Sequence, residues 1–412
     1  MFKPLEGVKV IDLTYFAAGP GTAKILADWG ADVIKVEPSF GDPARKQGIT
    51  LGTPSTEECN PFYNLYNANK RGLSVNLKTA EGKEILDKLL ADADVFVSSY
   101  RTGALKRLGL DYESLHERHP HIIWAQLNGF GDFGPAKDKP GFDTVAFWAR
   151  SGALLDMGEK GCGPLNPFFA YGDAGSACSL AGGIAGALYG RTKTGKGCKV
   201  MVSLFAQGIW NEGSIVASSQ YGDAYPKTRK DALTPTFNSY QCADGKWIYI
   251  CILDPERYNR TLFQILGMDD IVDDPNFITG DGAKAHGREL IAKLDEAIGK
   301  RTQAEMVRLL EEADIAHDCI ASVTDVWKDP QALENKYIAP VDNLDGTSTL
   351  MAMTPVRFSL EEPKSVDDIA PTIIKHAPKI GEDSVEILKE CGYSQEAIDG
   401  YIASGVVACS SK

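Results

Sequence analysis

Val8-Lys9-Val10-Ile11-Asp12-Leu13 is followed by Thr14-Tyr15-Phe16-Ala17-Ala18-Gly19-Pro20-Gly21, then by Thr22 to Trp29 and by Ala31 to Glu37. The first piece is a short, largely aliphatic run, as expected of a strand buried on both faces. The second is small and turn-prone, and reads as a loop. The third offers Ala23, Ile25, Leu26 and Trp29 to a core as one helix, and Gly30 stands where that helix would end. The fourth is a second strand. A strand, helix and strand in this order build a parallel pair with a right-handed crossover. The loop after the first strand then lies at the carboxyl edge of the sheet, where open α/β folds bind ligands.

The same alternation continues outward. Strands are expected at Leu73–Leu77, Asp94–Ser99, Ile122–Leu127 and Lys199–Leu204. Between the first two, Thr79–Leu90 places Ile85, Leu86, Leu89 and Leu90 on one side of a helix. Phe205–Ser219 reads as a further helix. This pattern predicts a large, Rossmann-like, doubly wound α/β domain. Composition changes at Tyr221–Pro235, which is polar and looped. Beyond it, the strand Lys246–Leu253 and helices near Glu256–Leu266, Gly287–Ile298 and Gln303–Ala313 describe a smaller α+β domain. The expected division is 1–220 for the first part of the large domain, 221–322 for the small one, and 323–412 for a return to the large one. In that return, Ser348–Phe358 reads as extended and Asp383–Cys391 as a terminal helix.

Composition narrows the function classes. The net charge of −13 and the lack of a long Lys/Arg cluster argue against a nucleic-acid surface. No run of about 18 apolar residues is present to span a membrane, and the amino end lacks a signal-peptide apolar region. Nine scattered cysteines with no C-x-x-C point to reduced thiols in the cytoplasm rather than disulfides or a zinc site. The six histidines show no metal-ligand spacing. Gly129-Phe130-Gly131-Asp132-Phe133-Gly134 matches G-x-G-x-x-G, but Pro135 and Pro140-Gly141 follow where a dinucleotide site needs a helix. No G-x-S-x-G elbow occurs.

One acid stands out. In Phe168-Phe169-Ala170-Tyr171-Gly172-Asp173-Ala174-Gly175-Ser176-Ala177, Asp173 follows an aromatic run and opens a helix of small residues reaching about Gly190. A carboxylate there meets the positive end of a helix dipole, in surroundings with room for a bulky reactant. Local sequence leaves two roles open, a helix cap and a nucleophile. Basic residues expected on the ligand edge are Lys70, Arg71, Lys78, Arg101, Arg107 and Lys139, a set suited to a small polyanion such as a nucleotide diphosphate.

Taken in order, Leu5-Glu6-Gly7-Val8-Lys9-Val10-Ile11-Asp12-Leu13 with Ala18-Gly19-Pro20, Gly30-Ala31-Asp32-Val33-Ile34-Lys35-Val36-Glu37, Asn69-Lys70-Arg71, Gly103-Ala104-Leu105-Lys106-Arg107-Leu108-Gly109, Pro140-Gly141-Phe142-Asp143, Thr194-Gly195-Lys196-Gly197 and Gly381-Glu382-Asp383-Ser384 resemble the class III CoA-transferase family over nearly the whole chain. The resemblance implies a two-domain fold and a homodimer of interlocked rings. It implies coenzyme A and acyl-CoA as substrates, a small carboxylic acid as acceptor, and no permanently bound cofactor. It makes Asp173 the nucleophile, which carries acyl as a mixed anhydride and then coenzyme A as a thioester. It assigns Phe16, Ala17 and Ala18 to the loop near the thioester, and Leu77 and Lys78 to the adenine side. Ser99, Tyr100, Arg101 and Arg107 fall in coenzyme-binding positions, and Phe142 and Asp143 line the pantetheine and active site. Two positions depart from relatives: Ser99 replaces a frequent Asn, and Pro38 replaces an adenine-stacking Arg of formyl-CoA transferase. That enzyme's glycine-rich lid is not visible, which argues against oxalate as acceptor. Gly141–Gly152 most resembles transferases acting on (R)-2-hydroxy acids such as phenyllactate or 2-hydroxyisocaproate. An acyl-CoA racemase of the same fold, or another acceptor such as a bile acid or dicarboxylic acid, are the alternatives.

Overall fold

Six strands of the expected alternation form: β1 (Lys9–Leu13), β2 (Asp32–Glu37), β3 (Arg71–Val75), β4 (Val95–Ser98), β5 (Ile123–Asn128) and β6 (Lys199–Ser203). In this computed structural model, which describes residues 2–410, they pair in parallel in the order 3-2-1-4-5-6. Ile11 stands opposite Ile34 on one side and Phe96 on the other, and Phe96 opposite Trp124. All four are buried, as strands covered by helices on both faces must be. The order reverses between β1 and β4, so the loops after these two strands diverge and leave a crevice at their carboxyl ends.

The crossover helices follow the pattern with one difference. Helix α1 runs Ala18–Asp28 and so takes in Gly19, Pro20 and Gly21, expected as loop. Pro20 sits in the first turn, where it has no intrahelical N–H bond to lose. Gly21 is needed for packing: a Cβ there would lie 3.2 Å from the Ala177 Cβ and 3.3 Å from the Tyr66 ring. Helix α2 (Ala80–Ala91) is capped by Thr79, whose side chain accepts the Gly82 N–H, and it buries Ile85, Leu86, Leu89 and Leu90. Helix α3 is Thr102–Leu108. Helix α4, Tyr171–Thr194, is 24 residues long and packs on α1. The expected helix over 205–219 is two helices, Leu204–Asn211 and Gly213–Ser219.

The chain divides into two compact units. The first comprises the chain up to Ala153, Pro167–Val216 and everything from Trp327; the second comprises Leu154–Asn166 and Ala217–Val326. In the second unit, β7 (Phe237–Gln241), β8 (Trp247–Cys251) and β9 (His317–Cys319) make an antiparallel sheet. Tyr240, Ile248 and Ile250 meet Leu262, Phe263, Leu290, Leu294 and Leu310 from its helices in one core. Back in the first unit, β10 (Ile338–Asp342) and β11 (Ser348–Ala352) form a hairpin. The carboxyl end holds two helices, Ser384–Glu390 and Gln395–Ala403. It ends in β12 (Val407–Ala408), which adds to β3 as the seventh, antiparallel edge strand. No helix among the described residues is long and apolar enough to cross a membrane.

Candidate active site

The loops after β1, β4 and β5 meet at the reversal point around a cavity of about 580 Å³. Tyr15, Phe16 and Ala17 come from the first loop, Ser99, Tyr100 and Arg101 from the second, and Gly141 and Phe142 from the third. Ala18 and Gly19 at the start of α1 and Arg107 on α3 complete the wall, and Asp173 reaches the cavity from α4. A crevice of this size, apolar in part with few convergent polar groups, is the usual form of a small-molecule site.

The loops are held from behind. The Tyr15 and Tyr100 rings stack 4.7 Å apart and their hydroxyls hydrogen-bond to each other. The Tyr15 N–H donates to Ser99 Oγ at 2.9 Å, and the Phe16 N–H to Asp42 Oδ1 at 3.2 Å. Phe16 sits at φ 65°, in the left-handed region that bulky residues avoid. Its ring meets Phe142 edge-on at 5.3 Å. Ala17 caps α1 without a side-chain hydrogen bond, so the first-turn amides have no side-chain partner.

Charge at the cavity is polarised. Arg101, Arg107, Lys137 and Lys139 are exposed on its lining and form no ion pair among the described residues. Only Asp138 and Asp173 oppose them on the lining. Four unpaired cations, three on loops and Arg107 on α3, suit a phosphorylated ligand.

Asp173 lies in the first turn of α4, entered through Ala170 at φ 58°. Burial, and then the Asp143 carboxylate, push its carboxyl up to about 7. Asp143 opens a single π-helical stretch, Asp143–Ala149, a form often found at functional sites. It is buried, and burial pushes its own carboxyl up to about 6 against the N–H groups of Gly172, Trp148, Asp173 and Ala170. None of these groups closes a well-aligned hydrogen bond to it, and both Asp143 oxygens and the Trp148 indole nitrogen are buried without one. Gly172 makes this approach possible, since a Cβ there would fall 2.2 Å from Phe147 Cγ and 2.4 Å from Asp143 Oδ1. The arrangement is an acid that is half proton-bearing near neutral pH, beside a second acid, at the wall of a cation-lined cavity. It can attack a polarised carbonyl when ionised.

Of the residues expected from sequence, Phe16, Ala17, Ala18, Ser99, Tyr100, Arg101, Arg107, Phe142 and Asp173 line this one cavity. Asp143 stands directly behind Gly172. Leu77 packs against the core and lines a different cavity, with Leu86, Asp87 and Leu108, and Lys78 lines neither. Two of the expected basic residues are committed elsewhere. Lys70 is fully buried, 2.8 Å from Asp12, and burial pushes its ammonium down to about 8. Arg71 pairs with Asp32 and Glu390. Tyr15, Lys137 and Leu204 also line the cavity. The signal that could have found Tyr15 and Leu204 is position alone, each lying just after a strand end; Lys137, well into the loop after β5, carries none.

Residues 5–384 match the family model described as CoA-transferase family III. The chain is 38% identical to an (R)-2-hydroxy-4-methylpentanoate CoA-transferase of Clostridioides difficile, covering 98% of this chain and 99% of that one. It is 35% identical to a cinnamoyl-CoA:phenyllactate CoA-transferase of Clostridium sporogenes, covering 96% and 95%. A crystal structure of a CAIB/BAIF family protein from Brucella suis superposes with a TM-score of 0.77 at 28% identity, covering 95% of this chain and 100% of that one.

Proposed function

This chain belongs to CoA-transferase family III, and we propose that it moves coenzyme A between an acyl-CoA and an (R)-2-hydroxy acid through covalent states of Asp173. The observation that carries the reading is the Asp173 carboxylate on the wall of a cavity whose other charged lining is mostly unpaired cations. Arg101, Arg107, Lys137 and Lys139 attract the phosphates of the coenzyme. Ionised Asp173 attacks the thioester carbonyl, the C–S bond breaks, and a mixed anhydride and a coenzyme A thiolate form. The thiolate then attacks the aspartyl carbonyl, releasing the donor acid and leaving coenzyme A on Asp173 as a thioester. The acceptor carboxylate reverses the two steps, so Asp173 ends unchanged and no thioester is lost to water.

Phe16, Tyr15, Tyr100 and Phe142, with Leu127 and Leu204, make much of the apolar wall. That apolarity, and the acids named in the two curated relatives, support a branched aliphatic or aromatic 2-hydroxy acid. Isocaproyl-type, cinnamoyl- and acetyl-CoA paired with hydroxy acids, dicarboxylic acids and bile acids test the choice. The proposal requires the highest kcat/KM with an apolar (R)-2-hydroxy acid; a higher value for a dicarboxylic or bile acid overturns it. Leu77 and Lys78 keep the adenine-side role that the resemblance implies if Lys78→Ala raises KM for acyl-CoA but not for an acyl-pantetheine; equal KM values remove them.

Two further readings go with this one. The nine cysteines are all unpaired, which supports a reducing, cytoplasmic setting. Phe133 and Trp210, 86% and 80% exposed, both line one cavity, which supports burial by a second copy in a homodimer. Light scattering should give twice the 44.6 kDa chain mass; a monomer at micromolar concentration overturns the dimer.

A further inference from the structure

Fully buried charges lie beneath the loop that follows β1. Lys35 and Asp42 pair at 3.0 Å with neither side chain exposed. Such a pair is seldom kept for stability, because apolar side chains of similar volume serve as well. What this one supplies is donors and acceptors at particular backbone atoms. Lys35 Nζ also donates to the Thr14 carbonyl at 3.1 Å. Asp42 Oδ1 accepts the Phe16 N–H at 3.2 Å and the Ala44 N–H at 2.9 Å. Glu37 fixes Asp42 in turn, its Oε2 accepting the Asp42 N–H at 2.9 Å.

The pair therefore grips the loop on both sides of Tyr15, at Thr14 and at Phe16. Phe16 is the residue held at φ 65°, a conformation that a bulky side chain keeps only when its surroundings impose it. The same turn delivers the Phe16 ring and the Ala17 and Ala18 backbone to the cavity that Asp173 lines. We propose that Lys35 and Asp42 are positioning residues, a buried clamp that holds the Thr14–Ala17 loop in the shape required for transfer at Asp173 while touching no substrate. This rests on the reading of the cavity as the acyl-CoA site.

Two double variants test the clamp without stranding a charge. Lys35→Met with Asp42→Leu removes both the pair and the acceptor for Phe16. Lys35→Met with Asp42→Asn removes the charge but leaves an amide oxygen for the Phe16 N–H. The first should melt within a few degrees of the parent yet lose roughly 30- to 100-fold in kcat, as expected for a reactive group misplaced by about 1 Å. Its KM for acyl-CoA should change less than about threefold on the same reasoning. The second keeps the Phe16 anchor but loses the Thr14 one, so its kcat should fall roughly 5- to 15-fold, a partial rescue of the first that a merely structural role would not give. Parental kcat in a folded Leu-containing variant overturns the clamp. If that variant does not fold, the Asn-containing one decides: a fall of about fivefold or more in kcat at unchanged melting temperature upholds the clamp, and kcat equal to the parent's overturns it. Asp173→Asn assayed alongside separates the two readings. Turnover surviving in that variant defeats the role of Asp173, whereas the clamp is judged by the ratio of each double variant to the parent.

Discussion

Replacing Asp173 by Asn should stabilise the ligand-free protein, and the gain should depend on pH. In the unfolded chain this carboxyl gives up its proton near its ordinary 3.8; in the folded chain burial and Asp143 hold it to about 7. Between those values the folded state binds more protons than the unfolded one, so parental stability falls as pH rises, and it levels off above about 7. At 1.36 kcal/mol per tenfold change in acidity, the cost reached at pH 8 is about 4 kcal/mol. Asn carries no titrating proton and escapes that cost. An unfolding entropy of about 2.1 cal/mol/K per residue over 412 residues converts the gain to about 5 °C. The variant should therefore melt only slightly above the parent at pH 5 and about 5 °C above it at pH 8. Differential scanning calorimetry of both proteins across pH 5–8.5 reads this directly. A difference that is constant with pH, or that shrinks as pH rises, would refute the claim that folding holds this acid in its protonated form.

Three other outcomes follow from the same geometry. Because Asp173 must be ionised to attack, kcat should rise about tenfold per pH unit below about 7 and level above it, and Asp143→Asn should move that midpoint downward by removing a like charge; a midpoint unchanged in the variant would show that Asp143 does not set it. Gly172→Ala drives a methyl group into Phe147 and Asp143, so it should cost about 1–3 kcal/mol of stability and about 100-fold in kcat, read by thermal melts and initial rates; wild-type values for both would remove the packing argument. Arg101→Ala and Arg107→Ala, whose side chains lie unpaired on the cavity lining, should together raise KM for acyl-CoA about tenfold at low salt and less at 0.5 M salt, while KM for an acyl-pantetheine stays the same.

The parallel sheet was legible because strands buried on both faces leave largely aliphatic runs such as Val8–Leu13 and Val95–Val97, and a run of that kind reads the same in sequence and in structure. The small unit was legible in its helices for the complementary reason: Leu290, Ile291 and Leu294 recur at the helical period and are all buried. Gly19-Pro20-Gly21 misled because glycine and proline mark turns by backbone preference, whereas here Gly21 serves a close helix crossing at Ala177, more than 150 residues away, and Gly19 lies against Thr14 and Ser99. Lys70 and Arg71 misled in the same way. Their partners Asp12, Asp32 and Glu390 are remote in sequence, so a committed cation looks identical to a free one. Asp173 could be singled out from its glycine and its small-residue helix. Asp143 could be placed at the site only through the resemblance, since the π-helical stretch that it opens has no periodicity to announce it. The short β12 strand was invisible because two residues, Val407 and Ala408, carry too little pattern to be told from a tail.

The central chemical event is the attachment of coenzyme A to one side chain. The protein is incubated with acyl-CoA alone, quenched with hydroxylamine and digested, and its peptides are read by mass spectrometry. The peptide containing Asp173 should carry a hydroxamate formed on its carboxyl, absent without acyl-CoA and absent in Asp173→Asn. A modified carboxyl elsewhere in the chain, or full turnover with residue 173 unmodified throughout, would contradict the account.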